Sequence, residues 1–99
     1  MSHARRVVVL GDGGWGTTLA ILLEHKGYLV TLWSAFPAHA RLLNRQRTNA
    51  DFLKGVKIPQ AIRITADASC LKEADLVVVA VPSAYLRRIL KKTARFYGK

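Results

Sequence analysis

Apolar and polar positions alternate in blocks along the chain, and each block predicts an element. Arg5 to Leu10 is a β-branched apolar run without alternation, as in a strand buried on both faces of a parallel sheet. Trp15, Leu19, Leu22 and Leu23 then recur at helical spacing, and Gly27 is placed to end a helix from Gly14 to Lys26. Tyr28 to Trp33 reads as a second strand. Pro37 to Gln46 reads as a helix with Leu42 and Leu43 inward and Arg41 and Arg45 outward. Arg47 to Gln60 has no sustained period and predicts irregular chain with at most a short helical turn. Ile62 to Thr65 predicts a short strand, Ala68 to Glu73 one or two helical turns, and Asp75 to Val81 another buried strand stopped by Pro82. From Ser83 onward Leu86, Ile89, Leu90 and Tyr97 share one side of a helix and basic residues take the other. Strands alternating with helices imply an α/β fold, a doubly wound parallel sheet of about four strands.

Composition keeps this picture within one small unit. The chain has 99 residues, 51% hydrophobic and 22% charged, which suits a single globular domain and excludes a disordered one. No apolar run approaches the roughly 20 residues needed to cross a bilayer, and Met-Ser-His-Ala-Arg-Arg is not a secretory leader, so a cytoplasmic chain without membrane insertion is expected. Cys70 is the lone cysteine, which rules out an internal disulfide, argues against a thiolate metal site, and predicts a small buried core residue.

The net charge of +10 raises a second class of function, because basic domains bind polyanions. After Asp75 no acid follows, whereas Arg87, Arg88, Lys91, Lys92, Arg95 and Lys99 do. A basic module contacting nucleic acid or anionic lipid is therefore one alternative. No aromatics are interleaved for base stacking and no helix-turn-helix or zinc pattern accompanies the helix, so nucleic acid is not the expected partner.

Candidate chemistry lies in the first turn. Gly11, Gly13 and Gly16 match G-x-G-x-x-G directly after a predicted strand and at the start of a predicted helix. The first glycine permits the tight turn, the second lets backbone approach a pyrophosphate, and the third lets helix and strand pack closely, while the helix N-terminus offers free N–H groups to phosphate. A purely structural glycine turn is the alternative. The acid normally found about 20 residues further on, at the end of the second strand, is missing. That place reads Trp33, Ser34, Ala35, Phe36, and no acid lies between Glu24 and Asp51. Ser34 could bond a ribose or a 2′-phosphate. Arg41 or Arg45 could neutralise such a phosphate and tilt the choice toward NADP, or both could be solvated helix surface. Pro82 falls at the carboxyl edge of the sheet, where it either turns the chain away above a cofactor or simply ends the strand.

Gly-Asp-Gly-Gly-Trp-Gly-Thr-Thr-Leu-Ala, residues Gly11 to Ala20, resembles the N-terminal fingerprint of NAD(P)-dependent glycerol-3-phosphate dehydrogenases. Further matches follow in order: Val30-Thr31-Leu32-Trp33, Asn44, Arg47-Thr48-Asn49, Phe52-Leu53, Lys57-Ile58-Pro59, and Asp75 through Val81-Pro82-Ser83. The resemblance implies a Rossmann-like domain, residues 1–99, without the helical substrate domain. It also implies NAD or NADP as cofactor, and interconversion of sn-glycerol 3-phosphate and dihydroxyacetone phosphate for glycerophospholipid synthesis. It carries cofactor contacts to Gly11, Gly13, Gly14, Trp15, Gly16 and Pro82. Ala35 stands where bacterial members often have a basic residue, which leaves the choice of dinucleotide open. The family's catalytic lysine lies further along than this chain extends, so Lys91 and Lys92 are expected on a solvated face. No catalytic residue is assigned, and the chain alone is expected to be inactive. The cofactor domain of another two-domain NAD(P)-dependent dehydrogenase is the alternative, and it would share the glycines without requiring Trp15. An exposed sheet edge predicts self-association.

Overall fold

The computed structural model describes residues 5–49, 53–81 and 83–93. Pro82, Arg95, Tyr97 and Lys99 lie outside them. The elements are β1 (Arg6–Leu10), α1 (Gly14–His25), β2 (Leu29–Trp33), α2 (Pro37–Gln46), β3 (Thr48–Asn49), β4 (Leu53–Lys57), β5 (Arg63–Thr65), a 3-10 helix (Ala68–Glu73), β6 (Leu76–Val79) and α3 (Ser83–Thr93).

Four strands form one parallel sheet in the order β5-β2-β1-β6. β1 pairs with β2 from Arg6–Leu29 to Leu10–Trp33, and with β6 from Val7–Leu76 to Leu10–Val79. The chain thus steps outward through β2 and β5, then returns to the other side of β1. The strand order reverses beside β1, and in open α/β sheets ligands bind outside the carboxyl ends of the strands at such a reversal.

Successive β1 side chains serve opposite layers, as the pleat requires. Val7 and Val9 pack with Ala20, Val30, Leu32, Ala40, Leu43 and Ile64 beneath α1 and α2. Val8 and Leu10 pack with Trp33, Leu71 and Ile89 beneath the 3-10 helix and α3. Each valine, leucine or isoleucine among them, taken out of water completely, contributes roughly 1.5–3 kcal/mol. The first layer has two full helices over it and the second has a short 3-10 crossover beside α3.

Four expectations change here. The buried side of α1 is Gly16, Thr17 and Ala20, while Trp15 and Leu22 are exposed, so the large apolar residues do not form the inward stripe. Small residues face the sheet because the helix approaches it closely. The region from Arg47 to Gln60, expected to be irregular, holds the antiparallel β3–β4 hairpin, with Thr48 opposite Lys57 and Asn49 opposite Leu53. β6 spans only Leu76–Val79, and Leu76 and Val79 are exposed because β6 is an outer strand of the sheet. On α3, Ile89 and Thr93 are buried, whereas Leu90 is exposed with Arg87, Arg88 and Lys91.

Other local readings hold. Gly27, at φ +101°, follows the end of α1, and its N–H donates to Glu24 O. Arg41 and Arg45 are exposed on α2. No helix among the described residues is long and apolar enough to cross a membrane.

Candidate functional site

The carboxyl ends of the strands are tied by backbone bonds that continue the ladder. Gly11 N–H donates to Trp33 O at 3.0 Å, Ala80 N–H to Leu10 O at 2.8 Å, and Ser34 N–H to Thr65 O at 2.9 Å. The glycine loop emerges from this edge.

Its three motif glycines are not equivalent. Gly11 has φ +120°, and a Cβ there would lie 2.5 Å from Ala80 O. A Cβ on Gly16 would lie 1.9 Å from Gly11 O. Both are demanded by the packing of β1, α1 and β6, since backbone atoms fill the space a side chain would need. Gly13 is different. It caps α1 in an ordinary extended conformation, φ −72° and ψ −173°, and a Cβ there would meet nothing within 4 Å. Nothing in the fold requires glycine at that point, whereas the backbone approach of a pyrophosphate does.

Gly13 also leaves the start of α1 without a side-chain cap, and no acid occupies the first turn. No side chain caps the first N–H groups of the helix, at the positive end of its dipole, and the space a Cβ on Gly13 would enter is open. Such an end accepts phosphate without any cationic side chain. The cradle therefore fits the pyrophosphate of a dinucleotide.

The loop is held from below. Asn49 is 1% exposed. Its Nδ2 donates to Asp12 O at 2.6 Å and to Thr17 Oγ1 at 2.8 Å, and its Oδ1 is buried without a partner. Thr17 Oγ1 also donates to Asp12 O, at 3.3 Å. The β3–β4 hairpin is thereby bonded to the glycine loop, a connection invisible in the periodicity of the chain. Asp12 Oδ2 contacts His39 Nδ1, with both side chains largely enclosed. Arg47, in the left-handed region at φ 55°, sends its guanidinium to Asn44 Oδ1 at 3.2 Å and to Ile62 O at 2.7 Å, and burial lowers its pKa. Asn44 Nδ2 donates to Ile64 O at 2.8 Å. Asn44, Arg47 and Asn49 thus act as scaffold, fastening α2, the hairpin and β5 around the loop.

The other expected site residues fall as follows. Trp15 is 68% exposed on the first turn of α1, standing free beside the loop. Gly14 is partly covered, as the first residue of α1. Ser34 is wholly buried, and its hydroxyl is engaged with both the N–H and the O of Phe36 at 3.1 Å, so it builds the turn after β2 and offers no surface to a ribose. Phe36 beyond it is exposed. Cys70 is half-buried against the second core, where desolvation raises its thiol pKa. Among the described residues no group of His, Cys, Asp and Glu is placed to hold a metal ion. A depression of about 380 Å³, lined by residues that include Arg6, Thr31, Arg63, Ser69 and Glu73, lies toward the opposite ends of the strands and includes none of the glycine loop.

A parallel sheet that reverses order beside β1, with a glycine cradle at that reversal, defines a dinucleotide-binding domain of Rossmann type. Residues 6–99 match the family model described as NAD-dependent glycerol-3-phosphate dehydrogenase N-terminus, and the chain belongs to that family. It is 45% identical over 93 residues to the glycerol-3-phosphate dehydrogenase [NAD(P)+] of Chlorobium luteolum, covering 93% of this chain and 27% of the relative. The corresponding protein of Syntrophomonas wolfei is 41% identical over 95 residues, covering 95% of this chain and 28% of the relative. The crystal structure of glycerol-3-phosphate dehydrogenase from Coxiella burnetii superposes with a TM-score of 0.89 at 25% identity, covering 97% of this chain and 30% of that one. The chain thus spans little more than a quarter of the length of the relatives it matches.

Proposed function

We propose that this chain is the cofactor-binding part of a glycerol-3-phosphate dehydrogenase, holding NAD or NADP in the glycine cradle. The observation that carries the reading is Gly13, which the fold does not require and a pyrophosphate does. Gly11 and Gly16 shape the cradle, Gly14 and the first turn of α1 present N–H groups to phosphate, and exposed Trp15 walls one side of the crevice. When bound, the nicotinamide supplies the hydride acceptor or donor, and the protein supplies orientation and electrostatics. The reaction served is the interconversion of sn-glycerol 3-phosphate and dihydroxyacetone phosphate in glycerophospholipid synthesis, as family membership suggests.

Residues 1–99 form the N-terminal cofactor domain in this reading, and their own task is to bind the nucleotide. The exposed outer side of β6, with Leu76 and Val79, supports self-association through that edge. Cytoplasmic location belongs to the same proposal and rests on the sequence alone.

Calorimetric titration of the purified chain with NADH and with NADPH tests the reading. Saturable binding of at least one dinucleotide is expected. Absence of heat with both, from a chain shown to be folded by circular dichroism, would refute it.

A further inference from the structure

Dinucleotide folds commonly place an acid at the end of the second strand, where it accepts from the ribose hydroxyls and by its charge disfavours a 2′-phosphate. Here Trp33-Ser34-Ala35-Phe36 occupies that place, and the Ser34 hydroxyl is buried against the backbone of Phe36. A carboxylate nevertheless stands at this corner. Asp12, between the first two motif glycines, contacts His39 near the start of α2, and α2 begins at Pro37, just after β2 ends at Trp33.

Three features suit this carboxylate to a ribose. The backbone beneath it is fixed, because Asp12 O takes hydrogen bonds from Asn49 Nδ2 at 2.6 Å and Thr17 Oγ1 at 3.3 Å. The side chain is held by His39 through Oδ2, a contact that does not use Oδ1. Asp12 and His39 retain 14% and 18% of their side-chain surface, enough for a ligand hydroxyl to reach an otherwise enclosed acid. A carboxylate so placed accepts from a vicinal diol and repels a phosphate ester. The exposed arginines of α2, Arg41 and Arg45, would favour the opposite choice if they governed it.

We propose that Asp12, positioned by His39, is the ribose-recognising acid of this chain and makes it prefer NADH to NADPH. The assignment rests on the cofactor-binding reading above. Its test is the ratio of the two affinities, measured by calorimetry or nucleotide fluorescence, in the wild-type chain, Asp12→Asn and Asp12→Ser. Wild type should bind NADH at least about tenfold more tightly than NADPH. Asp12→Asn keeps the shape and a contact to His39 but removes the charge, and should shrink that ratio by about tenfold, mostly through tighter NADPH binding. Asp12→Ser should shrink it as well, and His39→Ala should weaken NADH binding while leaving the fold intact. A wild type that prefers NADPH, or Asp12 variants that weaken both dinucleotides equally, would overturn the assignment and leave the cradle standing. Binding of neither dinucleotide by folded wild type would overturn the cradle itself, and this assignment with it.

Discussion

The base and the tip of the glycine loop follow different rules. At the base, Gly11 and Gly16 are wedged between β1, α1 and the end of β6, and an added methyl would strike backbone at 2.5 Å or 1.9 Å. At the tip, Gly13 and Trp15 face open space. The base is explained by folding alone. The tip is not, because a fold gains nothing from a bare helix end with a large aromatic exposed beside it. In the proposed reading one six-residue motif therefore contains both a structural requirement and a functional one, and substitutions can separate them.

The largest effect belongs to the base. Gly16→Ala drives Cβ into Gly11 O and forces α1 off the sheet, at a cost of roughly 3 kcal/mol, a large share of a small domain's stability. Chemical denaturation should show that loss, with nucleotide binding disappearing because the cradle is no longer formed. A wild-type midpoint would mean that the junction is looser than the structure shows.

Next comes the strut that links base to tip. Asn49→Ala removes the bonds to Asp12 O and Thr17 Oγ1, costing about 1–3 kcal/mol for the polar groups left behind, against some relief from the orphaned Oδ1. Stability and affinity should fall together, and urea melts run beside nucleotide titrations would read both. If affinity stayed intact while stability fell, the hairpin would not be organising the loop.

The tip should show the reverse. Trp15→Ala should change stability by no more than about 0.5 kcal/mol, since the ring is mostly in water. It should weaken dinucleotide binding by about threefold to tenfold, the scale of one lost aromatic contact. An unstable but normally binding variant would put Trp15 in the core after all.

How far the chain could be read in advance follows the same division. β1 and β2, and the existence of α1, α2, β6 and α3, are legible because the apolar periods and the punctuation by Gly27, Pro37 and Pro82 are local. α1 misled because its largest apolar residues point outward, and the sheet instead receives Gly16, Thr17 and Ala20, whose smallness is the signal of close packing. The β3–β4 hairpin escaped because β3 is only Thr48–Asn49 and Gly55, at φ +81°, interrupts any alternation. Ser34 looked like a ribose ligand because a hydroxyl's partner cannot be read from sequence, and it turned out to close a turn on Phe36. The Asp12–His39 contact depends on the docking of α2 against the loop, so neither residue announced it.

Gly13→Val tests the central claim most directly. A Cβ at this position meets nothing in the protein, so denaturation should place the variant within about 1 kcal/mol of wild type, allowing for a poorer helix cap. Titration with NADH and NADPH should then give no detectable binding where wild type binds, because the side chain fills the space the pyrophosphate needs. A folded Gly13→Val chain that binds either dinucleotide with wild-type affinity would contradict the assignment of this loop.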